Sequence, residues 1–159
     1  MTASDADPAQ RAYVAIGGNL GDARAAVLRA MADLDTLPDT RVVARSSLYR
    51  SAPVDAGGPD FINAVVALDT RLQPLALLAE LQRLETAALR QRPYRNAPRT
   101  LDLDLLRHGD SVLDGPTLTL PHPRMTQRAF VLLPLAEIAP EQVDAAKLAR
   151  LAEQRIERL

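Results

Sequence analysis

The run from Arg99 to Asp110, RTLDLDLLRHGD, alternates leucine with two aspartates, Asp102 and Asp104, in what otherwise reads as a buried strand. Residues two apart on a strand point to the same side, so the two carboxylates project together while Leu101, Leu103 and Leu105 face the core. Their attachment points lie about 6.6 Å apart by strand rise. Carboxylates so placed repel unless cations lie between them, and two metal ions about 3.5–4 Å apart fit the gap. The chain has no cysteine, so ligation falls to carboxylates and its 2 histidines, and the expected metal is a hard one such as Mg²⁺. A solvated acidic strand face explains the pair, taken alone, at least as well.

The arginines upstream shift that balance. Arg90, Arg92, Arg95 and Arg99 precede the aspartates in a segment broken by Pro93 and Pro98, which places them on a loop and not along a helix face. Guanidinium groups clamp phosphate oxygens in bidentate geometry and keep their charge at any working pH. Pairing with the two aspartates or with surface glutamates is the alternative use, each pair contributing little. Four arginines against two aspartates leave a surplus of positive charge, which favours phosphate. His122, held between Pro121 and Pro123, reads as a positioned donor, whereas His108 is expected to be exposed. GGNLGD (residues 17–22) lacks the lysine and the spacing of a P-loop and is read as structural. Asn63 is either a core amide satisfied by backbone or a polar anchor for a heterocycle.

These residues need a scaffold. Ala12 to Ile16 reads as a buried strand, and Val27, Ala30, Met31 and Leu34 recur at helical spacing before Pro38. Arg41 to Ser51 reads as a second strand, APVDAGGPD (52–60) as a mobile loop, and Phe61 to Thr70 as a third strand pairing back on the second. A second helix starts near Pro74, with Leu77, Leu81, Leu84 and Ala88 on one face and Gln82 and Glu85 on a more polar edge. Leu101 to Leu106 is the fourth strand. The order strand, helix, strand, strand, helix, strand predicts an α+β fold, a ferredoxin-like βαββαβ sandwich. Residues after it, with a terminal helix near Ala145 to Arg158, are expected to form an added C-terminal layer.

The 159 residues, 47% apolar and 25% charged, suit one domain with residues 1–11 as a flexible tail. The net charge of −1 offers no global attraction to nucleic acid or to an anionic membrane, so an anion site must be a local cluster. The amino-terminal residues carry no basic segment followed by an apolar run, and no stretch is long enough to span a bilayer, so a cytoplasmic location is expected. Nothing demands assembly, and a monomer is expected.

In order, YVAIGGNLGD, SSLYRSAPV, FINAVVALDT, PRTLDLDLL with Gly109, and LPHPRMTQRAFVLLPLAEIAP resemble the 6-hydroxymethyl-7,8-dihydropterin pyrophosphokinase family, from Tyr13 to about Pro140. The resemblance implies transfer of the β,γ-pyrophosphoryl unit of ATP to the pterin's hydroxymethyl oxygen, with release of AMP, in folate biosynthesis. On this resemblance Asp102 and Asp104 match the ligands of two Mg²⁺ ions, and Arg90, Arg92 and Arg99 the phosphate-binding loop arginines, with Arg95 nearby. His122 and Arg128 match triphosphate contacts, and Gln82 and Glu85 fall where the second helix meets the nucleotide. Ser51, Val54, Phe61, Asn63 and Phe130 occupy pterin positions, Asn63 reading the polar edge of the ring and the two phenylalanines sandwiching its faces. Where many members have Arg-Trp-Gly-Pro-Arg, this chain has Arg95-Asn96-Ala97-Pro98-Arg99, so a tryptophan that helps cover the pterin is missing.

No strong general base stands among the matched residues, so positioning and metal activation of the hydroxyl are expected to carry the reaction. The segments 52–60 and 89–98 are expected to close over the substrates and exclude water. Two competing readings are a palm-like nucleotidyltransferase, which would release pyrophosphate, and an RNA-binding module of the same topology. The second expects stacked aromatics and a basic face, against 3% aromatic content and a slightly acidic chain.

Overall fold

The strand β1 (Gln10–Gly18) buries Tyr13, Val14, Ala15 and Ile16 in succession, which requires cover on both sides of the sheet. Its neighbour β4 (Phe61–Thr70) is likewise buried from Ile62 to Leu68. In the computed structural model, which describes residues 8–19, 22–52, 60–90, 101–152 and 154–159 with the side chains of 89 and 90 excepted, these two strands form the centre of a six-stranded sheet. The order is β5 (Leu101–His108), β1, β4, β3 (Tyr49–Ser51), β8 (Ile156–Arg158), with β2 (Thr40–Arg45) also paired to β4; every pairing is antiparallel.

One face is covered by two helices. In α1 (Ala23–Leu34) the Asp22 carboxylate accepts from the Ala25 N–H at 3.1 Å, capping the first turn, and Val27, Ala30, Met31 and Leu34 are buried as the spacing predicts. In α2 (Pro74–Arg90) Leu77, Leu81 and Leu84 are buried. They pack with Val14, Ile16, Ala64, Val66, Leu68, Leu103 and Leu105 into one core. The opposite face carries α3 (Ala129–Ile138), whose Val131 and Leu135 join Met125, Tyr13, Ala15, Val65, Ala67 and Leu106 in a second core. A short hairpin, β6 (Leu113–Asp114) with β7 (Thr119–Leu120), precedes it, and α4 (Ala145–Ala149) follows.

Four sequence expectations are corrected. The second strand is divided into β2 and β3, because Ser46 bonds Val65 through both its backbone N–H and its side chain (2.9 Å each) and the chain then turns through Ser47 and Leu48. The terminal helix stops at Ala149, since backbone pairing with β3 draws 156–158 into a strand that local propensity does not favour. Residues 10 and 11 belong to β1, where the Arg11 guanidinium meets Asp69 at 2.6 Å. His108 is buried: the β1–β5 register shifts between Tyr13 and Val14, leaving Leu106 as an extra residue and setting His108 opposite buried Ala12. There its Nε2 donates to the Leu72 carbonyl at 2.7 Å.

Candidate active site

The register of the sheet assembles the site. Asp102 lies opposite Gly17, and Gly17 opposite Asn63 on its other side, so carboxylate, glycine and amide form one row across three strands. Asp104 lies opposite Ala15 in the row beside it. These rows share the α3 face of the sheet, beyond the point where α3 begins. Gly17 has no side chain there, and the opening is a cavity of about 70 Å³ lined by Ala15, Ile16, Gly17, Phe61, Asn63, Asp102, Asp104, Arg128 and Phe130.

Each wall has an identifiable support. The Asn63 amide is buried and its Nδ2 donates to Ser51 Oγ at 2.8 Å, which leaves Oδ1 on the Gly17 side, 3.5 Å from where a Cβ on Gly17 would stand. Arg128 occupies the N-cap position of α3, and its guanidinium carbon lies 5.4 Å from the Phe130 ring centroid. On the outer edge of β5, Glu85 from α2 accepts the Leu103 N–H at 2.8 Å, between the two aspartates. Burial raises the Glu85 pKa, the Leu103 N–H opposes that, and the charges of Asp102 and Asp104 raise it further. His122 is half-buried and lowered by that burial; Asp104 pulls it up, while Arg128 and Arg124 push it down. Its Nδ1 accepts from the Arg124 N–H at 3.2 Å, so the neutral ring offers Nε2–H as a donor.

The pair of aspartates suits Mg²⁺. Among the described residues no group of three or more histidines, cysteines or carboxylates is arranged to hold a metal, and the pair is what β5 offers. Mg²⁺ is held through one or two carboxylates, with waters and phosphate oxygens completing its octahedron, and the negative field felt by Glu85 is the field such an ion would neutralise.

Residues 13–140 match the family model of 7,8-dihydro-6-hydroxymethylpterin-pyrophosphokinase. The chain belongs to this family. It is 50% identical over 133 residues to the 2-amino-4-hydroxy-6-hydroxymethyldihydropteridine pyrophosphokinase of Pseudomonas aeruginosa, covering 83% of this chain and 82% of that one. The Haemophilus influenzae protein of the same name is 42% identical, covering 83% of each chain. A crystal structure of Plasmodium falciparum HPPK-DHPS A437G with pteroate shares the fold, with a TM-score of 0.72 at 14% identity, over 98% of this chain and 47% of that longer one. Just under half the length of that chain is therefore spanned. As a pyrophosphokinase the chain is an ATP-dependent pyrophosphoryl transferase.

Of the residues singled out in the sequence, the pyrophosphokinase fold gathers Phe61, Asn63, Asp102, Asp104, Arg128 and Phe130 around one cavity, with Ser51 bonded to Asn63, Glu85 bonded to the strand between the aspartates, and His122 close enough to feel the charges of Asp104 and Arg128. Gln82 is not among them: it is exposed and lines a separate groove with Ala79, Arg83, Thr86 and Ala87. Val54, Arg92, Arg95, Arg99 and the side chain of Arg90 lie outside the described residues, as do the segments 53–59 and 91–100. Larger cavities exist, including one of about 300 Å³ between α1 and α2, but its lining is mainly alanine and leucine with an Arg29–Asp33 pair and gathers no comparable set of groups. Gly17, read in the sequence as structural, forms part of the site; the register that puts it between Asp102 and Asn63 is the signal, and it arises from strand pairing.

Proposed function

We propose that pyrophosphate transfer from ATP to 6-hydroxymethyl-7,8-dihydropterin, the family's step in folate biosynthesis, takes place over the Asp102–Gly17–Asn63 row. Asn63 reads the polar edge of the pterin, steadied by Ser51, and Phe61 and Phe130 take its two faces, a contact worth about 0.5–1.5 kcal/mol per aromatic pair beyond area burial. Asp102 and Asp104 would hold two Mg²⁺ ions, which when bound neutralise phosphate charge and orient the transferred group. Arg128 and the Nε2–H of His122 reach the triphosphate, with Arg90, Arg92, Arg95 and Arg99 clamping it from the following segment and Gln82 and Glu85 near the nucleotide, and Val54 completing the pterin wall. The hydroxymethyl oxygen attacks the β-phosphorus in line, its proton passing to solvent, and the bond from that phosphorus to the α,β-bridging oxygen breaks, so that AMP leaves with that oxygen. Positioning supplies the rate, since none of these side chains is a strong base.

The gathering of two carboxylates, one oriented amide and two phenyl rings at a gap left by glycine is the observation that carries this reading. The cavity, at about 70 Å³, is far below the roughly 300–1,000 Å³ of small-molecule sites, so this reading requires the site to widen when the pterin binds. The finer architecture follows the same line: the strand order, with α1 and α2 on one face, supports a ferredoxin-like sandwich to which α3 and β8 would be additions, α3 contributing Phe130 to the site wall. A monomer and a cytoplasmic location, which suits an enzyme that draws on ATP, are part of the same proposal; no helix among the described residues is long and apolar enough to cross a membrane.

Chromatography of nucleotides after incubation with ATP and Mg²⁺ tests the reading. AMP appears only when the hydroxymethyl pterin is present, and Asp102→Ala and Asp104→Ala each nearly abolish it while circular dichroism is unchanged. Wild-type rates in either variant remove the metal role; pyrophosphate in place of AMP would indicate nucleotidyl transfer.

A further inference from the structure

The first turn of α3 lacks a cap of its own. Arg128 stands at the N-cap position with extended backbone (φ −128°, ψ 114°) and makes no side-chain capping hydrogen bond. Helix starts normally satisfy their free N–H groups with a local Ser, Thr, Asp or Asn. Here the partner comes from 25 residues downstream: the Ala129 N–H donates to Gln154 Oε1 at 2.9 Å. The other end of the same amide is also engaged, Gln154 Nε2 donating to the Gln127 carbonyl at 3.0 Å. One side chain therefore holds the backbone immediately before and immediately after Arg128.

Gln154 is delivered there by β8. Ile156, two residues on, lies opposite Ser51, and Glu157 and Arg158 pair with Arg50 and Tyr49. The strand that ends the chain is thereby tied to the wall that carries Ser51, and its approach is tied to the turn that carries Arg128 and Phe130. An arginine with long, flexible reach gains little by being near a phosphate unless its Cα is fixed, and a side chain that bonds both adjoining peptide groups fixes it.

We propose that Gln154 is a positioning residue for Arg128: it clamps the backbone at Gln127 and Ala129 so that the guanidinium is presented to the cavity shared with Asp102 and Asp104. This rests on the assignment of Arg128 to the phosphate end of the site. Gln154 is itself exposed, so its replacement opens no void in either core, and the fold is expected to survive the loss of the cap.

The test uses the full chain with Gln154→Met, which keeps length and volume without the amide, alongside Gln154→Ala. Expected is a fall of roughly tenfold or more in kcat/KM for ATP. The melting temperature stays within a few degrees of wild type. In an Arg128→Ala background the Gln154→Met change produces no further loss, because the two residues act as one unit. Additive losses, or no loss in the single variants, overturn the proposal. Hydrogen exchange of the Ala129 amide supplies a readout independent of catalysis: it quickens in Gln154→Met while Leu135 and Ala139 keep their protection. If wild type makes no AMP, the functional assignment falls on its own, and the clamp is decided by exchange, an unchanged Ala129 amide removing it.

Discussion

Gly17 is the residue on which the site depends for space. A Cβ there meets Asn63 Oδ1 at 3.5 Å, an ordinary contact, so alanine is accommodated by the backbone and by its neighbours. A valine extends into the 70 Å³ opening. We expect Gly17→Val to fold, with unchanged circular dichroism, and to weaken pterin binding by roughly tenfold or more, about 1.4 kcal/mol, measured by titration calorimetry. Ser51→Ala removes the acceptor that orients Asn63; it should raise KM for the pterin several-fold with little change in KM for ATP, and equal effects on both substrates would argue against that orientation. The aspartate pair was legible in the sequence because alternation on a strand is local information. The part played by Gly17 was not, because its partners come from residues 46 and 85 positions away, brought beside it by pairing register.

At the level of elements, the break between β2 and β3 is held by a carboxylate from the opposite layer. Glu137 of α3 accepts from the Ser47 N–H at 2.9 and 3.1 Å, from Ser47 Oγ at 2.9 Å and from the Tyr49 hydroxyl at 2.8 Å, with Arg158 of β8 at 3.4 Å. Burial and the bond to Glu137 push the Tyr49 phenol up to about 12. Burial pulls Glu137 upward too, but its donors outweigh that and leave its pKa lowered. A lowered carboxylate stabilises the fold above its unfolded pKa, and that contribution is lost as pH falls through the folded value; a raised phenol contributes below about 10 and loses it as pH rises toward about 12. Glu137→Gln should cost about 1 kcal/mol at neutral pH, solvent screening allowed for, and flatten the acid limb of a thermal melt series. A variant that melts like wild type across pH 4–7, roughly the carboxylate range, would show the cluster to be inert. The helices α1 and α2 were readable from apolar spacing, whereas β3 and β8 were not: each has three residues and owes its form to the strand beside it.

For the whole molecule, the sheet is a shared wall between two cores, and the candidate site lies on the α3 face, at the end of the sheet where that helix begins. We propose that the chain works as a monomer: sedimentation at working concentration should then give a single 17.2 kDa species with full activity, and activity that appears only with a larger species would overturn it. The extra residue at Leu106 has a consequence at this scale. It is a phase break in β5. On one side of it the even-numbered Asp102 and Asp104 line the candidate site, and on the other side the even-numbered His108 lies opposite buried Ala12 and bonds the carbonyl of buried Leu72. The strand's working end and its anchoring end thus obey opposite parities and answer to different layers, so the hold of the anchor can be strengthened or relaxed by substitution without rotating either carboxylate out of register.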